Sequence, residues 1–139
     1  MTFPLDPGTA DPAEVVCELL GEYRATASRL DIPAAEAPYA LAEAVIHGYD
    51  IAWPLKRTLN VPAPSLFVVA QTCRRTGLFL GSKQRSAGLE LRACDLAWSA
   101  GSGPQVTGPL ASIIMAITGR PQALNDLSDE GLATLRSRL

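Results

Sequence analysis

The stretch Leu41-Ala-Glu-Ala-Val-Ile-His-Gly-Tyr-Asp-Ile51 lies in a predicted helix and carries three polar side chains that can act together. Glu43 and His47 are four residues apart and Asp50 follows three residues later, so a helix places all three on one face. His47 is the only histidine of the chain, and a histidine one turn from a carboxylate can hold a divalent metal. Ordinary helix-surface pairs have the same spacing. The spacing alone therefore favours neither interpretation.

The helix that contains this stretch is predicted to run from Ala34 to Trp53, because Pro54 cannot continue it. The segment is apolar on nearly all sides, which is typical of a buried helix. A carboxylate and an imidazole in such surroundings need partners, because an isolated charge in an apolar interior is unstable. Either a metal ion or a hydrogen-bonded structural pair would satisfy them, and both interpretations stay open here.

An earlier amphipathic helix is predicted from Pro12 to about Leu30. Asp11-Pro12-Ala13-Glu14 combines an acid at the N-cap, proline at the first helical position and glutamate at the third, which is a capping-box pattern. The turn Asp31-Ile-Pro33 then leads into the second helix. We expect the two helices to form an antiparallel hairpin.

A second lobe is predicted to begin after the linker-like Asn60-Val-Pro-Ala-Pro64. We therefore expect residues 1–59 to form a helical region and residues 60–139 a small α/β lobe, which makes the fold class α+β. Pro64 to Gly77 fits a short helix, although residues 66–69 could equally open a buried strand.

The rest of the lobe is predicted as a β-hairpin followed by helices. Gly88 to Asp95 alternates apolar and polar residues in the manner of a half-buried strand, which residues 96–98 could continue. A turn at residues 101–104 would lead to a partner strand at residues 105–107. Pro109 opens a helix that directs Leu110, Ile113, Ile114 and Ile117 to a core and stops at Gly119. A last helix is predicted from Ser128 to Arg138, with Leu132, Leu135 and Leu139 inward.

Composition limits the classes of function. The chain has 139 residues, is 47% hydrophobic and carries a formal net charge of -2, so it has no basic field to attract nucleic acid. No segment reaches the ~18 apolar residues that a membrane span needs. Cys17, Cys73 and Cys94 lie far apart without C-x-x-C spacing, which favours small packed residues over disulfides or a thiolate zinc site. We expect a cytoplasmic protein that binds neither nucleic acid nor membranes.

Several short motifs occur in a recognisable order along the chain. They are His47-Gly-Tyr-Asp-Ile51 followed by Pro54-Leu55, then Cys94-Asp-Leu-Ala-Trp98, Gly101-Ser-Gly-Pro-Gln-Val-Thr-Gly-Pro109 and Gly119-Arg120. Together, from roughly Pro12 to the last residue, they resemble the mycothiol-dependent maleylpyruvate isomerase family of actinobacteria. The resemblance implies a DinB-like four-helix bundle that holds a divalent metal, usually zinc, and a smaller α/β lobe that completes the active site. The predicted hairpin would be half of that bundle, because the N-terminal part has no counterpart in this sequence.

The resemblance also implies roles for individual residues. Glu43 and His47 match two of the three metal ligands of the family, and Asp50 matches the acid of its H-x-x-D pattern, outside the first ligand shell. The third ligand, a histidine, has no counterpart in the sequence. Arg120 matches a catalytic arginine that binds the thiol cofactor or the substrate carboxylate. Its alternative interpretation is an arginine that neutralises the carbonyl end of the preceding helix.

Asp95 and Trp98 match a D-x-x-W motif of the second lobe. We expect them to be structural, because an Asp between a strand and a turn often hydrogen-bonds the neighbouring backbone.

The expected chemistry is thiol-assisted cis-trans isomerisation or thiol transfer. A metal-bound thiol loses its proton at neutral pH, and addition of that thiolate to a cis-diacid, rotation and elimination amount to isomerisation. The expected cofactors are zinc and mycothiol, and the expected substrate is a small carboxylate. One alternative is a non-catalytic binding or assembly module, and another is a fragment of a longer reading frame.

A homodimer is also expected. The predicted hairpin cannot cover its own apolar surface, and two hairpins would rebuild a four-helix bundle about a two-fold axis.

Overall fold

The computed structural model of the protein describes residues 11–29, 31–76 and 81–139. The described helices are α1 (Pro12–Ala27), α2 (Ala37–Ala52), α3 (Ala63–Arg75), α4 (Ser82–Ser86), α5 (Leu110–Ile117) and α6 (Leu132–Ser137), with a 3-10 helix at Pro121–Asp126. The strands are β1 (Glu90–Ala93), β2 (Ser99–Gly101) and β3 (Gln105–Gly108). The predicted α+β class is confirmed. In the described part of the chain, no helix combines the length and the apolar character needed to cross a bilayer.

The chain divides into two compact units, Met1–Pro33 and Ala34–Leu139. The first contains α1, which begins at Pro12 as predicted and ends at Ala27; its predicted end, Leu30, lies outside the described residues. The second contains all the other elements. The predicted pairing of the first two helices and the predicted boundary between residues 59 and 60 stay predictions.

Helix α2 packs against α3 within the second unit. Its buried residues, Ala42, Val45, Ile46, Tyr49 and Ala52, recur every three or four positions and therefore form one face. The expectation that α2 is buried on nearly every side is wrong, because Ala44, His47 and Ile51 on the opposite face are exposed. The cause is that the core packs against only one side of the helix.

Helix α3 settles the ambiguity at residues 66–69, which are helical and not a strand. Leu66, Val69, Ala70 and Cys73 form its buried face. Gly77, the predicted end of this helix, lies outside the described residues, and α3 ends at Arg75.

The sheet has the order β2-β1-β3. Leu89, Leu91 and Ala93 are buried as the alternation predicts. The predicted hairpin with residues 105–107 is wrong, because β2 is the antiparallel partner of β1 whereas β3 pairs with β1 in parallel. Residues 96–98 do not continue β1 but lead into β2. Gly103, with φ 125°, helps to turn the chain to the other edge, and a side chain there would collide with the Gly88 carbonyl.

Helix α5 is the centre of the core. Leu110, Ile113, Ile114 and Ile117 are completely buried, as predicted. Gly119 follows the helix with φ 97°, a conformation that favours glycine.

The first turn of α5 is capped from the loop after β1. Asp95 Oδ1 accepts a hydrogen bond of 3.0 Å from the Leu110 N–H, which is the structural role expected of this residue.

The end of the chain differs from prediction. Helix α6 spans only Leu132–Ser137, because Ser128 instead forms an antiparallel bridge with Thr107. Leu135 is buried and Leu132 is partly buried, as expected, but Leu139 is exposed.

Candidate functional site

Three polar side chains converge on the outer face of α2. His47 Nε2 lies 2.9 Å from Glu43 Oε2, and His47 Nδ1 lies 3.2 Å from Asp50 Oδ2. The prediction that these side chains share one face is confirmed. Glu43 and His47 are open to solvent, with side-chain exposures of 57% and 61%, so the group is a surface cluster and not a buried one.

Arg120 connects this cluster to the turn after α5. Its Nε donates to Asp50 Oδ1 over 3.0 Å and its Nη2 donates to Asp50 Oδ2 over 2.7 Å. This two-point geometry is the strong form of an arginine–carboxylate pair. The Arg120 hydrogen bonds hold the pKa of Asp50 below its ordinary value against the opposing effect of partial burial, and the Arg120 charge and His47 lower it further.

Arg120 also closes the end of α5. Its Nη1 donates to the Thr118 carbonyl over 2.8 Å, in the manner of the helix-capping interpretation. The three contacts use three of the five N–H groups of the guanidinium. The other two can serve a ligand, so a substrate-binding role for Arg120 stays a prediction.

The roles of the two His47 ring nitrogens in these contacts depend on the tautomer. Both ring nitrogens face carboxylates, and an ionised carboxylate only accepts hydrogen bonds. One arrangement has Nδ1 donate to Asp50, whose pKa Arg120 lowers. Nε2 and Glu43 then attract each other only if a proton or a metal cation lies between them. In the second case Asp50 acts as the carboxylate that fixes the tautomer of a metal-binding histidine.

The donor pair has the chemistry of zinc ligands, but the two atoms are spaced as in a hydrogen bond and would have to move apart to hold the ion. Zn–N and Zn–O distances of about 2.0 to 2.2 Å place neighbouring tetrahedral ligands roughly 3.3 Å apart, and Glu43 Oε2 and His47 Nε2 are 2.9 Å apart. A catalytic zinc usually has three protein ligands, yet the described residues contain no group of three His, Cys, Asp or Glu placed for one ion. The described part of the chain therefore supplies two ligands, and any further donor would have to come from elsewhere.

A cleft of about 520 Å³ borders the same cluster. Its lining residues are Tyr49, Asp50, Trp53, Pro54, Arg120 and Gln122. The rings of Tyr49 and Trp53 pack against each other with centroids 5.5 Å apart. Burial, and secondarily the charge of Asp95, raises the pKa of Tyr49, so its phenol stays neutral at physiological pH.

Sequence reasoning missed three residues of this cleft. Tyr49 and Trp53 are four residues apart on α2, a spacing that could have indicated an aromatic pair. Gln122 gave no signal in the sequence, because only the chain turn after Arg120 brings it to the cleft.

The three cysteines differ in exposure. Cys73 is buried as expected, and burial, with a smaller effect from the charge of Glu43, raises its pKa to about 12 against the opposing charge of Arg120. Cys17 and Cys94 are exposed, so their interpretation as packed residues is wrong. Cys94 follows the buried Ala93 at the end of β1, and the alternation of the strand turns it outward.

Comparison with protein-family models, with curated proteins and with solved structures finds no match to this chain. The resemblance to the maleylpyruvate isomerase family therefore depends on the ordered motifs of the sequence.

Proposed function

We propose that the protein binds a divalent metal ion, zinc by its donor chemistry, through Glu43 and His47, and that it catalyses thiol-dependent isomerisation or thiol transfer on a small carboxylate. The observation that carries this proposal is the continuous hydrogen-bond chain from Glu43 through His47 and Asp50 to Arg120. Because Arg120 holds Asp50 by two hydrogen bonds, the ring of His47 is oriented by a carboxylate whose own position is fixed.

Each residue of the chain has a physical task in the proposal. Asp50 accepts a hydrogen bond from the Nδ1–H and directs the Nε2 lone pair toward Glu43. Arg120 keeps Asp50 ionised and prevents its rotation, since two parallel hydrogen bonds fix the plane of the carboxylate. Glu43 supplies the negative charge that a divalent cation needs beside a neutral imidazole.

The cleft is the proposed binding site of the small carboxylate substrate. A small carboxylate in the cleft would lie beside Arg120 and the neutral phenol of Tyr49, with the Trp53 ring in the same lining. A bound metal ion would lower the pKa of a coordinated thiol such as mycothiol. Addition of the thiol to the substrate double bond, rotation about the resulting single bond and elimination would return the thiol unchanged, so isomerisation consumes no oxidant or reductant.

A metal-binding experiment tests the proposal that Glu43 and His47 hold zinc. The protein is stripped with a chelator, dialysed against zinc and analysed for metal content, beside His47→Ala and Glu43→Gln. We expect both variants to lose zinc, whereas Glu130→Gln, the same change as in Glu43→Gln at another exposed glutamate, retains it. Equal zinc content in the wild type and in His47→Ala would contradict the proposal.

An activity assay tests the proposed thiol-dependent isomerisation. Zinc-loaded protein is mixed with mycothiol and maleylpyruvate, and conversion to the trans isomer is followed by ultraviolet absorbance. We expect turnover that requires the thiol and is lost in His47→Ala. Turnover that is the same without the thiol would contradict a thiol-dependent mechanism.

The alternative proposal is a non-catalytic binding or assembly module. It is favoured by the exposure of Glu43 and His47 on the same face of α2 as Ile51, which is 65% exposed. Zinc uptake without any turnover in the activity experiment would select this alternative.

A further inference from the structure

The outer face of α2 carries an exposed stripe of small and apolar residues. Its members recur every three or four positions and lie on one side of the helix: Ala37, Ala44, His47, Ile51 and Leu55, which are exposed, and Ala40, which is half-buried. His47 is the only polar residue of the stripe, and Glu43 and Asp50 lie beside it on the same outer face. Ile51 and Leu55 are each 65% exposed. This is the spacing of a helix-pairing seam.

The stripe extends one turn beyond the last α-helical residue, Ala52. The Lys56 N–H donates to the Trp53 carbonyl and the Arg57 N–H donates to the Ala52 carbonyl, both over 2.9 Å. Lys56 has φ 52°, so the end is a Schellman motif. Leu55 is therefore held in the final turn, on the same side as Ile51.

The two halves of the stripe are complementary in size. The first half has alanines and the second half has Ile51 and Leu55. We infer that a second copy of this chain packs antiparallel on the outer face of α2. The two-fold axis crosses that face at the height of residue 46 along the helix. Leu55 then lies opposite the partner's Ala37, since each is nine residues from the axis, or about 13.5 Å at 1.5 Å per residue. Ile51 lies between the partner's Ala40 and the partner's Ala44.

The two ends of the stripe are complementary in charge. Glu36 precedes α2 and Lys56 follows it, and both are exposed. They lie ten residues on either side of residue 46, so the antiparallel arrangement pairs each with its opposite in the partner. Arg57 adds a second positive charge at the same end. A parallel arrangement would instead place like charges together, so the charge pattern selects the antiparallel one.

The arrangement also bears on the metal ligands, a step that depends on the proposed function. The Glu43 and His47 donor atoms lie at the level of residue 45, about 1.5 Å from the axis along the helix. Two donor pairs would therefore meet beside the axis, and three of the four donors would complete the protein ligands of a catalytic zinc and leave one position open for the thiol. The second copy supplies the donors that the described residues of a single chain lack.

Light scattering of the purified zinc-loaded protein tests the pairing. We expect the wild type to be a dimer. In Ile51→Glu the dissociation constant of the dimer should be at least tenfold larger, because pairing would bury a new carboxylate. Val68→Glu is the matched control, since Val68 is an exposed apolar residue of α3. A wild-type monomer, or a dimer that Ile51→Glu leaves intact, would overturn the inference.

A charge exchange tests the orientation. Glu36→Lys and Lys56→Glu should each weaken the dimer, and the double variant should restore it, because the exchange re-forms opposite pairs in an antiparallel dimer. No restoration would overturn the antiparallel arrangement.

Metal content separates this inference from the proposed function. We expect about half a zinc ion per chain, since donors from two chains share one ion. One zinc ion per chain, in a monomer or a dimer, would overturn the shared site and leave the proposed function intact. Absence of zinc at every chain concentration would instead reject the proposed function.

Discussion

Arg120 and Asp50 lie 70 residues apart in the chain and are joined by two hydrogen bonds of 3.0 and 2.7 Å. This pair ties the outer part of α2 to the turn that follows α5. Because Asp50 also contacts His47, the arginine fixes the orientation of the proposed metal ligand without contacting it.

Replacement of Arg120 by Lys should weaken the interaction with Asp50. A lysine keeps the positive charge but cannot form two parallel hydrogen bonds, and the pair is partly open to solvent, with side-chain exposures of 18% and 33%. We therefore expect a loss of only about 1 kcal/mol in the free energy of unfolding by urea, below the range for buried charged pairs. Arg92→Lys, at an exposed ion pair of 3.4 Å with Glu90, should change stability by less. Equal effects of the two substitutions would show that the Asp50 contact contributes no more to the free energy of unfolding than an exposed ion pair does.

The lowered pKa of Asp50 predicts a pH dependence of stability. A carboxyl whose folded pKa is depressed stabilises the folded state above its unfolded pKa of about 3.9, and this stabilisation is lost as the pH falls through the folded pKa. The difference in unfolding free energy between the wild type and Asp50→Asn should therefore be largest above about pH 4 and should shrink in stronger acid. Urea titrations across this pH range measure it. A difference that is independent of pH would mean that the charge of Asp50 does not stabilise the fold.

The three cysteines should differ in reactivity. Cys73 is completely buried with its pKa raised to about 12, whereas Cys17 and Cys94 are exposed. A thiolate is the reactive form, so a chromogenic disulfide reagent should modify two thiols in the folded protein and the third only after denaturation. Cys73→Ser should leave the fast phase unchanged. Rapid reaction of all three thiols without denaturant would contradict the burial of Cys73.

Asp95 should affect the stability of α5 and the ionisation of Tyr49 separately. Asp95→Asn keeps a side-chain oxygen for the Leu110 N–H but removes the charge, whereas Asp95→Ala removes both. We expect Asp95→Ala to cost about 1 kcal/mol in unfolding free energy and Asp95→Asn clearly less. Both should lower the pKa of Tyr49, followed by nuclear magnetic resonance, although burial, the larger cause, remains. An unchanged Tyr49 pKa in both variants would contradict the influence of Asp95.

The local parts of this fold could be predicted from the sequence. The burial of Ile113 and Ile114 in α5 and of Leu91 in β1 follows from periodicity within a few residues. Glu43 and His47 could be placed together for the same reason.

The long-range parts could not be predicted. The contact between Asp50 and Arg120 depends on how α5 packs, and the parallel pairing of β3 with β1 depends on the turn at Gly103. The exposure of α2 was also missed, because apolar periodicity shows which faces are able to be buried and not which faces have a neighbour.

The central claim is that Asp50 orients His47 so that Nε2 binds a metal beside Glu43, and the sole histidine of the chain allows the most direct measurement. Nitrogen-15 resonance of the imidazole ring, recorded before and after addition of zinc, distinguishes the two ring nitrogens. We predict that zinc shifts the Nε2 resonance while Nδ1 keeps its proton, and that Asp50→Asn weakens the zinc affinity by about 10 to 100-fold. Ring resonances that do not respond to zinc, or metal binding at Nδ1, would contradict the account.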